Sequence, residues 1–185
     1  MLAGLGRVDN APGFLVVSHK EREASMTAER LERAWELLRE AYHQQMEGEY
    51  DLAVDLYQQS LASHPTAEAF TFLGWTYHFQ GKIDQAIEEC KKAIAVDPDF
   101  GNPYNDIGAY LIEKQQYDQA IPWLEQAITA KRYDSYNYPL YNLGRVFLAQ
   151  GMLKKAQACF AKALEISPQY TLAREALEEA RRKVN

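Results

Sequence analysis

A repeated spacing of small residues most constrains what this 185-residue chain can fold into. Four alanines recur at intervals of 33, 34 and 36 residues, at Ala53, Ala86, Ala120 and Ala156. Self-similarity at such a period is typical of solenoid proteins, in which each short unit completes its core by stacking on its neighbours. The sequence therefore predicts a linear array of similar units rather than one globular core.

The two best-matched units agree at eight offsets before a closing proline. Before Pro98 these residues are Phe70, Leu73, Gly74, Tyr77, Gly81, Ala86, Cys90 and Ala93. Before Pro168 they are Leu140, Leu143, Gly144, Phe147, Gly151, Ala156, Phe160 and Ala163. The pattern resembles the tetratricopeptide repeat family. The resemblance implies an all-α solenoid of helix hairpins, stacked into a superhelix, with repeats at about 34–66, 67–100, 101–136 and 137–170.

Residue types at the predicted helix ends fit such hairpins. Glycines that can adopt a left-handed backbone are predicted to close first helices, at Gly48, Gly81 and Gly151. Gln115 takes this place in the third unit, which predicts a less stable turn there. Aspartates are predicted to cap the N-termini of second helices, at Asp51, Asp84 and Asp118. Prolines are predicted to stop the second helices, at Pro65, Pro98 and Pro168.

Small residues within the helices predict close helix packing. Glycine in a helix costs about 1 kcal/mol relative to alanine, so a repeated one indicates that a neighbouring helix comes near. Such glycines occupy the middle of first helices at Gly74, Gly108 and Gly144. The recurrent alanines are predicted to serve the same purpose on second helices.

The two edges of the array differ in pattern. The N-terminal residues show no helical recurrence of apolar side chains, and residues 1–26 are predicted to form a flexible tail. The repeat domain is predicted at 27–185, with its first helix starting near Thr27. After Pro168 one apolar stripe recurs at helical spacing, at Leu172, Ala173, Ala176, Leu177 and Ala180. A capping helix at 171–183 is therefore expected to shield the last repeat from water.

Composition and motifs disfavour several function classes. A net charge of −6 without clustered Lys and Arg disfavours nucleic acid as a partner. No stretch is long and apolar enough for a membrane span or a secretory signal, so no membrane partner and a cytoplasmic location are expected. The four His and two Cys lack metal-ligand spacing, and no nucleophile or phosphate-loop motif occurs. We therefore expect no metal, no cofactor and no enzymatic activity.

A groove with many aromatics and few charges is the predicted binding site. In the resembling family the first helices line the concave surface, and the candidates there are Tyr42, Phe72, Trp75, Phe79, Asn105, Tyr141, Asn142 and Arg145. Trp, Tyr and Arg are enriched at binding hot spots. Trp35 and Leu38 face the same way but are expected to pack inside. Asn142 matches a position at which the family often carries an Asn that binds a peptide backbone.

Two features bear on which peptide could bind. Family members that bind acidic heat-shock chaperone tails use Lys and Arg in the groove, but the corresponding positions here are Leu38, Tyr42, Phe72, Asn102 and Asp106. That partner class is disfavoured.

An insertion at 131–139 carries three Tyr before the fourth repeat. It either lengthens a helix and loop and so changes the superhelical angle, or forms an aromatic lip at the groove.

The predicted function is a scaffold or adaptor that binds a peptide segment of a partner protein in its concave groove. One alternative is a homo-oligomer that assembles through its repeats, although the polar last helix argues against stacking at that end. The other is a small-ligand-binding or enzymatic protein, which a deep closed pocket in the groove would favour.

Overall fold

The computed structural model of the protein describes residues 18–183. Nine helices are present within this range and no strand is. They are α1 His19–Met46, α2 Tyr50–Ser63, α3 Ala67–Phe79, α4 Ile83–Val96, α5 Asn102–Glu113, α6 Tyr117–Thr129, α7 Asn137–Ala149, α8 Leu153–Ile166 and α9 Thr171–Arg182. None of the described helices is long and apolar enough to cross a membrane.

The helices form four hairpins and a final single helix. The hairpins are α1–α2, α3–α4, α5–α6 and α7–α8, and each second helix also packs on the first helix of the next hairpin. The odd-numbered helices contact one another along one side, as α1–α3, α5–α7 and α7–α9 do. This all-α solenoid confirms the predicted fold class and brings the first helices together on one surface.

Small residues permit close approach within each hairpin, as predicted. A Cβ added to Gly108 would overlap the side chain of Leu124, and one added to Gly144 would overlap the ring of Phe160. At Gly74 it would lie 3.1 Å from a backbone oxygen. The recurrent alanines of the second helices are fully buried. Each hairpin therefore has no room for a larger side chain at these positions.

The turns within the hairpins use left-handed backbone. Gly48, Gly81 and Gly151 have φ angles of +82°, +75° and +72°, and Gln115 takes φ +60° at the corresponding place. A non-glycine residue in this conformation carries a backbone penalty. The third hairpin therefore contains the strained turn that the sequence indicated.

The predicted role of three aspartates as N-caps is wrong. Each is the second residue of its helix, whereas the N-caps Glu49, Lys82 and Gln116 form no side-chain cap bond. The aspartates instead bind the C-cap residue of the following repeat's first helix. Gln80 donates to Asp51 over 2.8 Å, Gln150 donates to Asp118 over 2.7 Å, and Lys114 pairs with Asp84. They still complement the helix dipole in the first turn.

The first helix begins earlier than predicted. Ser18 caps α1 and accepts from the Glu21 amide over 3.2 Å, while the Glu21 carboxylate accepts from the Ser18 amide over 2.8 Å. This capping box fixes the helix start at His19, so residues 19–26 are helical and are not part of a tail. The remainder of the predicted tail, residues 1–17, lies outside the described residues.

Candidate peptide-binding groove

A chain of hydrogen bonds crosses the concave surface from the fourth repeat to the second. Arg145 Nη1 donates to Asn142 Oδ1 over 3.0 Å, and Asn142 Nδ2 donates to Asn105 Oδ1 over 3.0 Å. Asn105 Nδ2 then donates to Asp106 Oδ1 over 3.4 Å. Asp106 Oδ2 accepts from the indole of Trp75 over 2.5 Å. We call Arg145, Asn142, Asn105 and Asp106 the relay.

The relay has a fixed direction. Each Asn accepts with its oxygen and donates with its nitrogen, so every bond runs from the Arg145 cation toward the Asp106 carboxyl. If either Asn amide were flipped, its nitrogen would face another donor and its oxygen would face another acceptor. The buried Asn142 is therefore held by both ends of its amide. Four of the predicted groove residues belong to this one network, namely Trp75, Asn105, Asn142 and Arg145, and Asp106, which was not among them, joins them.

Asp106 is the acid of the groove whose pKa departs most from its ordinary value. Its side chain is half-buried, and burial raises the pKa of its carboxyl from 3.8 to about 7. The hydrogen bonds from Trp75 and Asn105 and the nearby His78 oppose this rise in pKa. No cation forms an ion pair with Asp106 among residues 18–183. The carboxylate therefore relies on neutral donors.

The other acids close to this surface have cationic or ring-nitrogen partners. Glu113 Oε2 lies 2.7 Å from His78 Nε2, and the His78 ring stacks on Tyr110 with centroids 4.7 Å apart. Glu68 lies 2.7 Å from Arg132, which also pairs with Asp97. Asp106 differs from both Glu residues in this respect.

Aromatic side chains form the part of the groove nearest the N-terminus. The ring of Phe72 lies 5.4 Å from that of Tyr42 and 5.1 Å from that of Trp75. Phe79 stacks on Tyr50 at 5.7 Å and leaves 55% of its surface exposed. Tyr42 is also exposed. This end therefore presents apolar area that no described residue covers.

The other end of the groove is basic. The Arg145 guanidinium lies 5.9 Å from the centre of the Tyr141 ring, which in turn packs on Tyr170 at 5.1 Å. Arg145 is half-buried, and in the part of the chain that the structure describes no carboxylate pairs with it. An open pocket of about 290 Å³ lies beside it and is also lined by Leu148 and Lys183.

The insertion before the fourth repeat is a packed loop and not a helix extension. Tyr133 lies directly against Gly101, and the Tyr136 hydroxyl donates to the Ala130 carbonyl over 3.1 Å. Arg132 lies over the Phe100 ring at 4.1 Å and anchors the loop to the turn after α4. Tyr138 remains largely exposed. Of the three tyrosines, two are partly buried against the loop and its neighbours and one is exposed.

Trp35 and Leu38 pack as expected, because Leu38 is buried and Trp35 lies partly buried against the same apolar cluster. Within residues 18–183 no group of three or more His, Cys, Asp or Glu could hold a metal ion. Burial raises the pKa of the Cys90 thiol well above its ordinary value, so the thiolate form is disfavoured.

Three models of the tetratricopeptide repeat match consecutive stretches of the sequence, at residues 34–68, 67–100 and 99–169. The chain belongs to the tetratricopeptide repeat family. The matches together span the four hairpins from the middle of α1 to the end of α8.

Curated relatives share the repeats and are much longer. The chain is 27% identical over 125 residues to Tetratricopeptide repeat protein 8 of Caenorhabditis elegans, covering 67% of this chain and 25% of that protein. It is 31% identical over 102 residues to Protein bimA of Emericella nidulans, covering 55% of this chain and 12% of that protein. The chain thus spans a quarter or less of the length of these two relatives.

Solved structures with the same fold include pilF of Pseudomonas aeruginosa, with a TM-score of 0.78 and 22% identity over 83% of this chain and 70% of that one. The first repeat domain of Spaghetti (RPAP3), bound to an HSP90 peptide, is similar with a TM-score of 0.60 and 22% identity, over 64% of this chain and 93% of that one. YrrB, described as having an unusual peptide-binding site, is similar with a TM-score of 0.63 and 21% identity, over 85% of this chain and 80% of that one.

Proposed function

We propose that the protein is a scaffold that binds a peptide segment of another protein along its concave surface. The observation that carries this proposal is the combination of exposed aromatic side chains at one end of the groove with a cation, Arg145, at the other end, which no carboxylate of residues 18–183 pairs with. Exposed aromatic area and Arg are typical of binding hot spots. An extended peptide lying across α1, α3, α5 and α7 would contact both ends.

The comparisons support this proposal at the level of the fold. Two of the similar structures are described as binding peptides, one of them an HSP90 peptide. The groove here has Leu38 buried and the acid Asp106 at its centre, where chaperone-tail binding uses cations. We therefore propose a different class of peptide as the partner.

The alternative of an enclosed small-ligand site has less support. The pockets beside Arg145 and beside the insertion are open to solvent, and neither encloses a cavity. Such surfaces suit an extended chain better than a small molecule, which usually binds in a cleft that buries most of its surface.

Affinity capture from a lysate of the source organism, followed by mass spectrometry, would identify the partner. Binding should then be repeated with Phe79→Ala and, as a matched control, Leu52→Ala, because the two side chains are similarly exposed but Leu52 lies on the second helix of its hairpin. We expect Phe79→Ala to weaken capture and Leu52→Ala to leave it unchanged. Loss of capture with Leu52→Ala alone would contradict binding in the groove.

A polar pair completes the test. Arg145→Ala should weaken capture, whereas Lys91→Ala, on the exposed face of α4, should not. Equal thermal stability of the variants would show that loss of capture does not reflect unfolding.

A further inference from the structure

Among residues 18–183 the carboxyl of Asp106 forms no ion pair, whereas two glutamates near the groove each lie against a His or Arg side chain. Glu113 has His78 and Glu68 has Arg132, whereas Asp106 has the Trp75 indole and the Asn105 amide. A half-buried carboxylate without a cation is costly, because neutral donors replace only part of its lost hydration. A cation supplied from outside would remove that cost.

The surroundings of Asp106 favour a cationic side chain with an apolar stem. Phe72 lies edge-on to Trp75, and Trp75 itself contacts the Asp106 carboxyl. The stem of a Lys or Arg can lie along aromatic faces while its charged end reaches an acid. Within the relay, only the neutral amide of Asn105 donates to Asp106. The cation of the relay, Arg145, lies at its other end.

We propose that the peptide bound in the groove carries a Lys or Arg side chain that pairs with the Asp106 carboxylate. This inference rests on the proposed function and specifies the chemistry of its partner. It also gives the peptide a direction, because an acidic group of the same peptide would then be placed toward Arg145.

The groups facing Asp106 determine how pH affects this pairing. They are His78 and Trp75 on α3, Cys90 on α4, Tyr110 and Glu113 on α5, Tyr133 of the insertion and, through the relay, Arg145 on α7. Burial raises the pKa of Asp106 to about 7, so the carboxyl is mainly neutral below that pH and ionised above it. A cationic peptide should therefore bind more tightly as the pH rises from 5.5 to 8, and binding should release a proton.

The experiment uses three fluorescein-labelled decapeptide mixtures with the full chain. The mixtures share the same Leu, Phe and Trp positions and differ only at one central residue, which is Lys, Gln or Glu. Fluorescence anisotropy gives the Kd of each mixture at pH 5.5 and pH 8. At pH 8 we expect the Lys mixture to bind about fivefold more tightly than the Gln mixture, and at pH 5.5 the two to bind equally.

Two variants locate the effect. Asp106→Asn should abolish the preference for Lys at pH 8, whereas Glu113→Gln, which removes a more exposed acid of the same groove, should retain it. Circular dichroism would show whether Asp106→Asn folds. If it does not, the pH comparison is repeated in His78→Gln, which removes the imidazole that faces Asp106. A Lys preference that still appears as the pH rises supports the pairing with Asp106, and its loss overturns it.

The outcomes separate the two proposals. Binding of all three mixtures with no preference for Lys, or with a preference for Glu, would overturn this inference and leave the groove as a peptide site. A Lys preference that survives in Asp106→Asn would also overturn it. If no mixture binds, both the inference and the proposed function fail.

Discussion

Replacing Asp106 by Asn should change how the stability of the protein depends on pH. The carboxyl has a pKa of about 7 in the folded protein, against 3.8 for an unperturbed Asp. Because the folded pKa is the higher one, the group contributes stability at low pH that is lost as the pH rises through 7. At about 1.4 kcal/mol per pKa unit, the full loss would be about 4 kcal/mol, and most of it falls between pH 5 and pH 8.

The half-buried position of the side chain reduces this figure, because water screens part of the charge. We expect the free energy of unfolding of the wild-type protein to fall by about 1–3 kcal/mol more than that of Asp106→Asn between pH 5 and pH 8. The new amide would face the donor of Asn105, but that cost is the same at both pH values and cancels in the comparison.

Urea denaturation at pH 5 and pH 8 measures this difference, with circular dichroism for the whole array and Trp fluorescence for Trp75 and its surroundings. Asp134→Asn, in the exposed loop before α7, is the matched control and should follow the wild-type protein. Identical pH dependence in the wild-type protein and Asp106→Asn would refute the argument that Asp106 is ionised at a cost in the folded protein.

Three further predictions concern the fold and are measured by denaturant titration. Gln115→Gly should raise the free energy of unfolding by about 0.5–1 kcal/mol, because glycine adopts φ +60° without strain, and a loss of stability would contradict the assigned turn. Ala120→Leu should lower it by about 1–3 kcal/mol through overpacking, so an unchanged midpoint would show that this site is not closely packed. Ser18→Ala should lower helix content at the start of α1 and cost about 1 kcal/mol of helix stability, while Ser167→Ala, which forms no such cap, should not.

The repeat architecture was predictable from sequence because its determinants are local. A glycine that must be left-handed, an alanine that must be small and a proline that must end a helix each constrain one position, and their spacing repeats. The same reasoning was wrong for the aspartates. The residue that follows each left-handed residue has ψ near 60° and is itself the N-cap. The helix begins at the next residue, which places the aspartate at the second helical position.

The start of α1 was missed because prediction followed apolar periodicity. The first turns of α1 are exposed on all sides, so no apolar stripe marks them. The signal that was present is the Ser18–Glu21 capping box, which depends on two polar residues three positions apart.

The candidate groove residues could be named from sequence, but their network could not. Asn105 and Asn142 bond to each other although they occupy different offsets in their repeats. Their meeting depends on how α5 and α7 are set relative to each other, and the insertion between them contributes to that arrangement through Arg132 and Tyr133. No spacing rule within one repeat contains this information.

The central claim is that the concave surface holds the partner peptide, and site-specific photo-crosslinking tests it most directly. The residue p-benzoylphenylalanine would replace Phe79 in the groove in one protein and Leu52 on α2 in another, since both side chains are about half exposed. The account predicts that the captured partner crosslinks through position 79 and not through position 52. Crosslinking through position 52 alone would place the partner on the outer helices and contradict the account.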